Sequence, residues 1–218
     1  FRIRLILPVF DTRGDVVAFG SRVLDKSEPK YMNSSETPVY SKRRVLYGLN
    51  LAKKSKRPNI ILCEGNLDIV TLHQAGFDNS VASMGTALTV EQTRLLSRFT
   101  KELVLCYDND NAGKIATERA LQILNGSEFS VKVLQLPRRL VDGEYIKQDA
   151  DDFIKLQGPD AFERLLNGSE NGVEFRMAQI AGKYDLKDDE ARIAYCGEVS
   201  ELLASLPGAV EREIYTGR

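Results

Sequence analysis

Between residues 59 and 136, short apolar runs alternate with longer segments that have the apolar spacing of helices. Short continuous apolar runs are typical of strands that are buried on both faces of a parallel sheet. The pattern predicts strands near 59–63, 80–83, 102–107 and 131–136, and helices near 67–75, 90–98 and 112–124. Because strands and helices alternate, we predict a parallel sheet with helices packed on its faces.

The amino-terminal segment has a different pattern, with short strands and turns over residues 1–50. Arg4–Pro8 and Val16–Phe19 flank the sequence Asp-Thr-Arg-Gly, which is typical of a hairpin turn. Lys and Arg are concentrated before the first acidic motif, although the formal net charge of the chain is only -1. We therefore predict a mixed strand and turn segment that presents a cationic face.

The carboxyl-terminal third is predicted to be helical. Residues 137–149 are charged and predict an irregular connection, and a helical pattern begins at Asp151. Residues 173–218 predict a small helical bundle that packs on the core and carries no catalytic chemistry. The complete prediction is an α/β fold with a helix-flanked parallel sheet in its middle part. The three predicted parts of the chain are 1–58, 59–150 and 151–218.

Acidic side chains follow two of the predicted strands. Glu64 comes directly after Ile-Ile-Leu-Cys, and Asp108 follows Leu-Val-Leu-Cys-Tyr. Asp68 and Asp110 follow these two residues by four and two positions. Because the carboxyl ends of parallel strands meet at one sheet edge, we expect Glu64, Asp108 and Asp110 to converge. Converging carboxylates repel one another unless a cation lies between them, and carboxylate oxygens suit Mg²⁺ or Mn²⁺. This pattern predicts metal-assisted phosphoryl or nucleotidyl transfer.

Glycines next to these acids support the same prediction. Gly65 is expected to allow a tight turn where a side chain would crowd the bend, and Gly113 to let the chain bend into the next helix. A single Asp-x-Asp sequence is most simply a solvated turn. The presence of two motifs, each at a strand end, favours a functional site instead.

The sequence Glu-Gly-x-x-Asp at 64–68, followed by Asp-x-Asp at 108–110, resembles the signature of the Toprim domain. Toprim domains occur in bacterial primases, in type IA and type II topoisomerases, in some nucleases and in a recombination-mediator family. Further segments resemble the catalytic core of bacterial DnaG-type replicative primases. These segments are 1–8, 14–24, 29–34, 46–49, 82–86 and 149–152. Ala150 stands where that family usually has proline, so we expect a looser third acidic cluster.

The resemblance implies template-directed synthesis of short RNA primers on single-stranded DNA, by a Toprim-type fold that uses two Mg²⁺ or Mn²⁺ ions. It implies that the catalytic metal ligands are Glu64, Asp108 and Asp110. Asp149 and Asp151 are expected to complete a second metal position. Asp68 either binds metal or orients Glu64, and Glu64 acts either as a ligand or as a general base. The positions that match the nucleic-acid and nucleotide cleft are Arg22, Lys30, Tyr31, Asn33, Lys42 and Arg44.

Composition limits the other expectations. The chain has 218 residues and no apolar run long enough to span a membrane. We therefore expect no membrane partner. The three cysteines and the single histidine show no metal-ligand spacing, so we expect no zinc site. Unpaired cysteines fit a reducing compartment, so we expect a cytoplasmic chain. Phe1 in place of Met predicts an excised fragment, which we expect to be monomeric.

The expected partners are a single-stranded DNA template, ribonucleoside triphosphates and a replicative helicase. The helicase is expected to be contacted only through a domain that is absent from this chain. Two alternatives to primer synthesis remain open at this stage. The chain is either part of a Toprim nuclease or topoisomerase, or a fragment that binds nucleotide and DNA without full activity. The eight tyrosines include none in a recognisable strand-cleavage motif, which favours the primase interpretation over a topoisomerase.

Overall fold

The computed structural model describes residues 2–141 and 143–217. Phe1 and Arg218, which begin and end the predicted parts, and Asp142, in the predicted irregular connection, lie outside the described residues. The strands of the described chain are β1 (Arg4–Phe10), β2 (Val16–Val23), β3 (Tyr31–Asn33), β4 (Leu46–Tyr47), β5 (Asn59–Cys63), β6 (Ser80–Ser83), β7 (Glu102–Cys106), β8 (Ser130–Val133), β9 (Arg139–Val141), β10 (Glu144–Ile146) and β11 (Glu170–Asn171). The helices are α1 (Leu49–Ala52), α2 (Asn66–Gln74), α3 (Val90–Leu96), α4 (Asn111–Leu124), α5 (Ala150–Gln157), α6 (Pro159–Asn167), α7 (Gly172–Ala181), α8 (Asp189–Ala204) and α9 (Ala209–Thr216).

The amino-terminal sheet is antiparallel, in the order β1-β2-β3. Its first turn is the predicted hairpin, in which one carboxylate organises the backbone. Asp11 Oδ1 accepts hydrogen bonds from the backbone N–H groups of Arg13, Gly14 and Asp15 at 2.8, 2.9 and 3.1 Å. Gly14 has a φ of 105°, a conformation that a side chain would disfavour. The hairpin prediction is therefore confirmed.

The central sheet has six strands in the order β11-β8-β7-β5-β6-β4. The four inner strands are parallel, and the short edge strands β4 and β11 are antiparallel to their neighbours. Ile61, Leu62, Val104 and Leu105 are 0% exposed, which explains why the inner strands are continuous apolar runs. The predicted helix-flanked parallel sheet is confirmed.

Helices cover both faces of this sheet. Ile60 and Leu62 point to a cluster that contains residues of α1, α3, α4 and α7, whereas Ile61 and Cys63 point to a cluster built with α2, α5 and α6. On the second face, Phe77 and Phe162 make an edge-on ring contact at 4.7 Å between centroids. Helices α5 and α6 thus pack with the sheet, while the predicted division into 1–58, 59–150 and 151–218 stays a prediction.

The last three helices form a bundle with its own core, as the sequence predicts. This core contains Val173, Ile180, Val199, Leu203 and Leu206, which are 5–9% exposed. Its hydrogen-bonded helix caps include Asn171 before α7 and Asp188 before α8. None of the helices in 2–141 and 143–217 has the length and apolar character that a membrane span requires.

The sequence misses three short elements. Strands β9 (Arg139–Val141) and β10 (Glu144–Ile146) pair as a hairpin where an irregular connection is predicted, and β4 and β11 complete the edges of the central sheet. Strands of two or three residues are too short to show an alternating pattern, so their existence depends on pairing rather than on composition. The prediction of an irregular connection at 137–149 is wrong over the hairpin.

Candidate metal and nucleic-acid site

Strand register brings the two acidic motifs together. β5 and β7 are parallel neighbours with Cys63 opposite Cys106, so Glu64 and Asp108 leave the sheet at the same edge. The backbone N–H of Asp108 donates to Glu64 Oε1 at 3.2 Å. The expected convergence of these acids is therefore confirmed, and it results from adjacent strand positions of residues that are far apart in sequence.

Asp110 caps helix α4. Its Oδ1 accepts a hydrogen bond from the backbone N–H of Gly113 at 2.8 Å. A Cβ on Gly113 would lie 1.9 Å from the carbonyl oxygen of Asp108, so only glycine fits at this position. Gly113 lies inside α4 rather than at a bend. Gly113 is therefore required, as predicted, but not because the chain bends there. It is required because the Asp108 carbonyl leaves no room for a side chain.

Asp68 connects the first motif to the third acidic cluster. Its Oδ2 accepts from the backbone N–H of Gly65 at 3.1 Å, and its Oδ1 accepts from the backbone N–H of Asp151, also at 3.1 Å. The residue is only 7% exposed. Asp68 therefore ties the turn after β5 to the start of α5, and its role as a metal ligand or as an orienting residue stays a prediction. A Cβ on Gly65 would lie 2.7 Å from Asp68 Oδ2, which agrees with the crowding expected there.

The third cluster lies at the start of α5. Asp149 caps this helix by accepting the backbone N–H of Asp152 at 2.8 Å. One carboxylate oxygen from each of Asp149, Asp151 and Asp152 lies within 4.8 Å of the others, so these three groups suit a cation. Asp152 is not among the predicted ligands. Ala150 is 3% exposed within the core cluster that includes α2 and α6, so packing holds this turn where a proline ring is usual.

The pKa values show a concentration of negative charge. Burial and the neighbouring Asp108 carboxylate raise the pKa of Glu64, while burial raises that of Asp149. Burial and the Asp149 carboxylate raise the pKa of Asp68 to about 7. A bound cation would lower all three, because it would replace lost hydration and offset the mutual repulsion. The donor set therefore fits a divalent ion with hard oxygen ligands.

Lys147 is the one cation that contacts both carboxylates of the Asp-x-Asp motif among the described residues. Its Nζ lies 3.1 Å from Asp108 Oδ2 and 3.2 Å from Asp110 Oδ2. These hydrogen bonds raise the pKa of Lys147, and the N–H of Gly113 together with Lys147 lowers that of Asp110. No sequence pattern marks this lysine, because it approaches the motif only through the folding of the hairpin β9–β10.

Basic and aromatic side chains of the amino-terminal sheet contribute to the same cleft. The Arg22 guanidinium lies 5.6 Å from the centroid of the Tyr31 ring, and Lys30 Nζ lies 5.5 Å from it. Asn33 Nδ2 donates to the carbonyl of Met84 at 3.3 Å, which fastens β3 to the loop after β6. Tyr31 is 52% exposed and so retains a free ring surface for stacking.

The shared cleft has a volume of about 350 Å³. Its lining includes Arg22, Lys30, Tyr31 and Asn33 from the amino-terminal sheet, with Glu64, Asp68, Asp108, Asp149 and Asp151 from the acidic edge. Gly20 allows close contact between the two sides, because a Cβ there would lie 2.8 Å from Asn66 Nδ2. Gly20 and Asn66 are residues that the sequence analysis does not single out.

Two predicted cleft residues lie elsewhere. The backbone N–H of Lys42 donates to Glu36 Oε1 at 2.7 Å, and its carbonyl accepts from Gln92 Nε2 at 3.0 Å. Arg44 lines a separate recess beside Phe10 and Leu46. Neither residue lines the acidic cleft, so their predicted roles in binding nucleic acid or nucleotide remain predictions.

Paired acidic motifs at the edge of a helix-flanked parallel sheet define a Toprim-like domain. A family model described as Toprim-like matches residues 61–154. A model described as "DNA primase catalytic core, N-terminal domain" matches residues 1–53, and one described as "DnaB-helicase binding domain of primase" matches 173–218.

Relatives agree with these matches. The DNA primase of Clostridium acetobutylicum is 42% identical over 216 residues, which are 99% of this chain and 35% of that protein. The E. coli primase catalytic core is 34% identical with a TM-score of 0.80, covering 99% of this chain and 67% of that one. A DnaG primase catalytic domain bound to ssDNA is also 34% identical, with a TM-score of 0.81 and coverage of 99% and 68%.

The chain belongs to the DnaG-type family of bacterial DNA primases. It spans about a third of the length of the curated relatives it matches. The match over 173–218 corrects one expectation, namely that a helicase-binding domain is absent from this chain. The helical pattern of residues 173–218 predicts the bundle, but no local motif there indicates a binding role, because binding surfaces depend on shape and exposed side chains.

Proposed function

We propose that this chain is catalytic machinery for the synthesis of short RNA primers on single-stranded DNA, by two-metal nucleotidyl transfer. The main support is the single cleft that joins the carboxylates of Glu64, Asp108 and Asp149 to the Tyr31 ring and its neighbouring cations. A polymerase needs both groups of residues. Carboxylates bind the metal ions that neutralise phosphate charge, and basic and aromatic side chains hold the nucleic-acid strand.

Glu64, Asp108 and Asp110 are the proposed ligands of one divalent ion, with Asp149 and Asp151 at a second position. When bound, such ions lower the pKa of an attacking hydroxyl and neutralise charge on the transferring phosphate. Asp68 is a positioning residue in this scheme, because it holds the N–H groups of Gly65 and Asp151. Mg²⁺ and Mn²⁺ both fit the oxygen donors.

The basic and aromatic side of the cleft is proposed to hold the template and the incoming ribonucleoside triphosphate. Tyr31 offers a ring on which a base can stack, and Arg22 and Lys30 place positive charge beside it. The solved DnaG domain bound to ssDNA supports this assignment of the ligand class. Tyr31→Ala should weaken binding of single-stranded DNA about ten-fold or more, in line with the loss of one base stack.

Primer synthesis on single-stranded DNA with labelled ribonucleotides tests the proposal. Glu64→Gln and Asp108→Asn should each reduce product by about a thousand-fold, because each removes a charge from the reacting centre. Glu163→Gln is a matched control, since Glu163 pairs with Arg57 outside the cleft. Thermal melting should show all three variants folded. Product yields near that of the unmodified protein from Glu64→Gln or Asp108→Asn would contradict the proposed site.

The two alternatives have different products. A Toprim nuclease or topoisomerase would cut or relax supercoiled plasmid in the presence of Mg²⁺, whereas a primase would leave the plasmid unchanged and extend ribonucleotides on a template. A fragment that only binds would retain DNA and triphosphate without releasing pyrophosphate. Measuring plasmid topology, binding and pyrophosphate on one preparation therefore separates the three functions.

We also propose that helices α7–α9 contact the replicative helicase. The match to the primase domain that binds the DnaB helicase supports this, together with exposed apolar side chains at Ile193, Val210 and Ile214. Val210→Glu with Ile214→Glu should abolish co-elution with the helicase and leave primer synthesis unaided by helicase unchanged. Val16→Glu is the control, because Val16 is an exposed apolar residue of the amino-terminal sheet. Undiminished co-elution of the double variant would reject this surface.

A further inference from the structure

Lys147 occupies the position between the two carboxylates of the Asp-x-Asp motif. Its ammonium lies 3.1 Å from Asp108 Oδ2 and 3.2 Å from Asp110 Oδ2, so it makes one charge-assisted contact with each acid. A cation that bridges these two oxygens would meet the Lys147 ammonium. The two positive charges would repel each other strongly at such a short distance.

The hairpin β9–β10, which immediately precedes Lys147, lies apart from both larger sheets. Strands β9 and β10 pair with each other and with neither of the two larger sheets. Leu140 and Tyr145, which face each other in this hairpin, are 58% and 70% exposed. The Lys147 side chain itself is 58% exposed. The Asp108 and Asp110 side chains are 22% and 34% exposed, so withdrawal of the lysine breaks two partly exposed ion pairs.

The residue after Lys147 has an unmade hydrogen bond in this arrangement. Gln148 is only 5% exposed, and its Nε2 donates to no acceptor among the described residues. A buried donor without an acceptor is unfavourable, so a shift of segment 147–149 that gives Gln148 Nε2 an acceptor would be favoured. The same segment ends at Asp149, a proposed metal ligand, so its position bears directly on the acidic cleft.

We propose that Lys147 is a built-in counter-ion that neutralises Asp108 and Asp110 and competes with a divalent ion for them. The ammonium keeps the crowded acids together while the ion position is free, and it must withdraw when the ion binds. Metal affinity is then set partly by the hairpin β9–β10. This inference rests on the proposed metal site, but it does not depend on whether the chain makes primers.

Calorimetric titration with MnCl₂ alone tests the competition directly. Lys147→Met should bind Mn²⁺ about ten-fold more tightly than the unmodified protein, because the competing charge has been removed. Lys147→Arg keeps the charge and should bind close to the unmodified level. Lys101→Met is the matched control, since it removes one lysine from an ion pair with Glu128 that does not involve the cleft acids. It should leave Mn²⁺ affinity unchanged.

A purely structural role for Lys147 predicts the opposite direction, because carboxylates that lose their support would bind Mn²⁺ more weakly. Equal or weaker binding by Lys147→Met, or no Mn²⁺ binding by any of the proteins, would overturn the inference. Thermal melting of each variant shows that the comparison is made between folded proteins. Primer synthesis is read separately, so tighter Mn²⁺ binding without any primer product would reject the proposed function and leave the competition intact.

Discussion

The acidic edge of the central sheet and the α7–α9 bundle are stabilised in different ways. At the acidic edge, carboxylates lie against strands whose inner residues are 0% exposed, and backbone N–H groups hold Glu64, Asp68 and Asp110. In the bundle, core residues retain 5–9% exposure, and ion pairs such as Lys183–Glu198 lie at the surface. A site that must hold repelling charges together needs a rigid frame, and the buried strands supply one at the acidic edge.

The glycines of the two regions show the same contrast. Gly113 in α4 has backbone atoms of Asp108 where a side chain would project, but a Cβ on Gly197 in α8 would meet no atom of the described residues within 4 Å. Close backbone contact is thus a structural requirement at the acidic edge and is absent at this point of the bundle.

The largest effect is expected from alanine at the two glycines. Gly113→Ala should destabilise the fold by more than about 4 kcal/mol, because its Cβ would overlap the Asp108 carbonyl oxygen and force backbone movement. Gly197→Ala should instead stabilise the chain by about 0.5–1 kcal/mol, as expected for an unhindered helical site. Urea unfolding measures both values. Similar small changes at the two positions would show that the acidic edge is no more rigid than the bundle.

Truncation of one buried leucine in each region should give a smaller difference in unfolding free energy than the two glycine substitutions. Leu62→Ala should cost about 4 kcal/mol, since Leu62 is 0% exposed between packed helices and strands, and Leu203→Ala about 2 kcal/mol. The partly exposed bundle core can relax around the lost side chain. Chemical unfolding with far-ultraviolet circular dichroism supplies the free energies. A larger loss of unfolding free energy for Leu203→Ala than for Leu62→Ala would show that the bundle core is packed more tightly than the central sheet.

Stability without divalent ions should depend on pH through the acidic edge. Burial raises the pKa of Asp68 to about 7, well above that of an unfolded aspartate. Below pH 7 the folded state therefore holds a proton that the unfolded state releases at a lower pH. Stability should therefore be higher at pH 5.5 than at pH 8, by an amount on the order of 2 kcal/mol. The raised pKa values of Glu64 and Asp149 act in the same direction.

Melting curves in EDTA at these two pH values measure the effect. Asp68→Asn should flatten the dependence, because an amide takes up no proton in this range. Addition of Mg²⁺ should also reduce it, since a cation lowers the pKa of nearby carboxyl groups. Higher stability at pH 8 than at pH 5.5 in EDTA would indicate that these acids are well solvated.

The smallest effect is expected at the surface of the bundle. Lys183→Met removes the ion pair with Glu198, whose two side chains are 57% and 33% exposed. The change should cost less stability than either core truncation, because water already screens such pairs. Thermal melting at low and high salt provides the measurement. A cost that equals the one for Leu62→Ala would mean that the bundle depends on electrostatics rather than on its apolar core.

Much of the fold is readable from local patterns. The inner strands β5 to β8, the helices between them and the first hairpin are predicted within a few residues, because buried runs and turn residues carry strong local signals. Thr89 and Gln92 form a capping box at the start of α3. The hairpin β9–β10 and the edge strands β4 and β11 escape prediction, since their few residues gain strand structure only from a partner.

Some residues of the candidate site can likewise be identified from local sequence, whereas others cannot. Glu64, Asp68, Asp108 and Asp110 are identifiable because each lies at a fixed distance from the end of a predicted strand. Lys147 and Asn66 are not, because they reach the site through contacts between separate elements. Lys42 and Arg44 are the opposite case. The family resemblance places them in the cleft, but in the structure they do not line it.

The sequence alone determined the parallel sheet and the acidic character of its edge, because strand period and strand-end chemistry are local properties. The tertiary structure decided which charges meet. Strand register set Glu64 beside Asp108, backbone N–H groups engaged both oxygens of Asp68, and the hairpin placed Lys147 between Asp108 and Asp110. These are distances between residues far apart in the chain, and electrostatic energies depend on such distances and on burial rather than on sequence order.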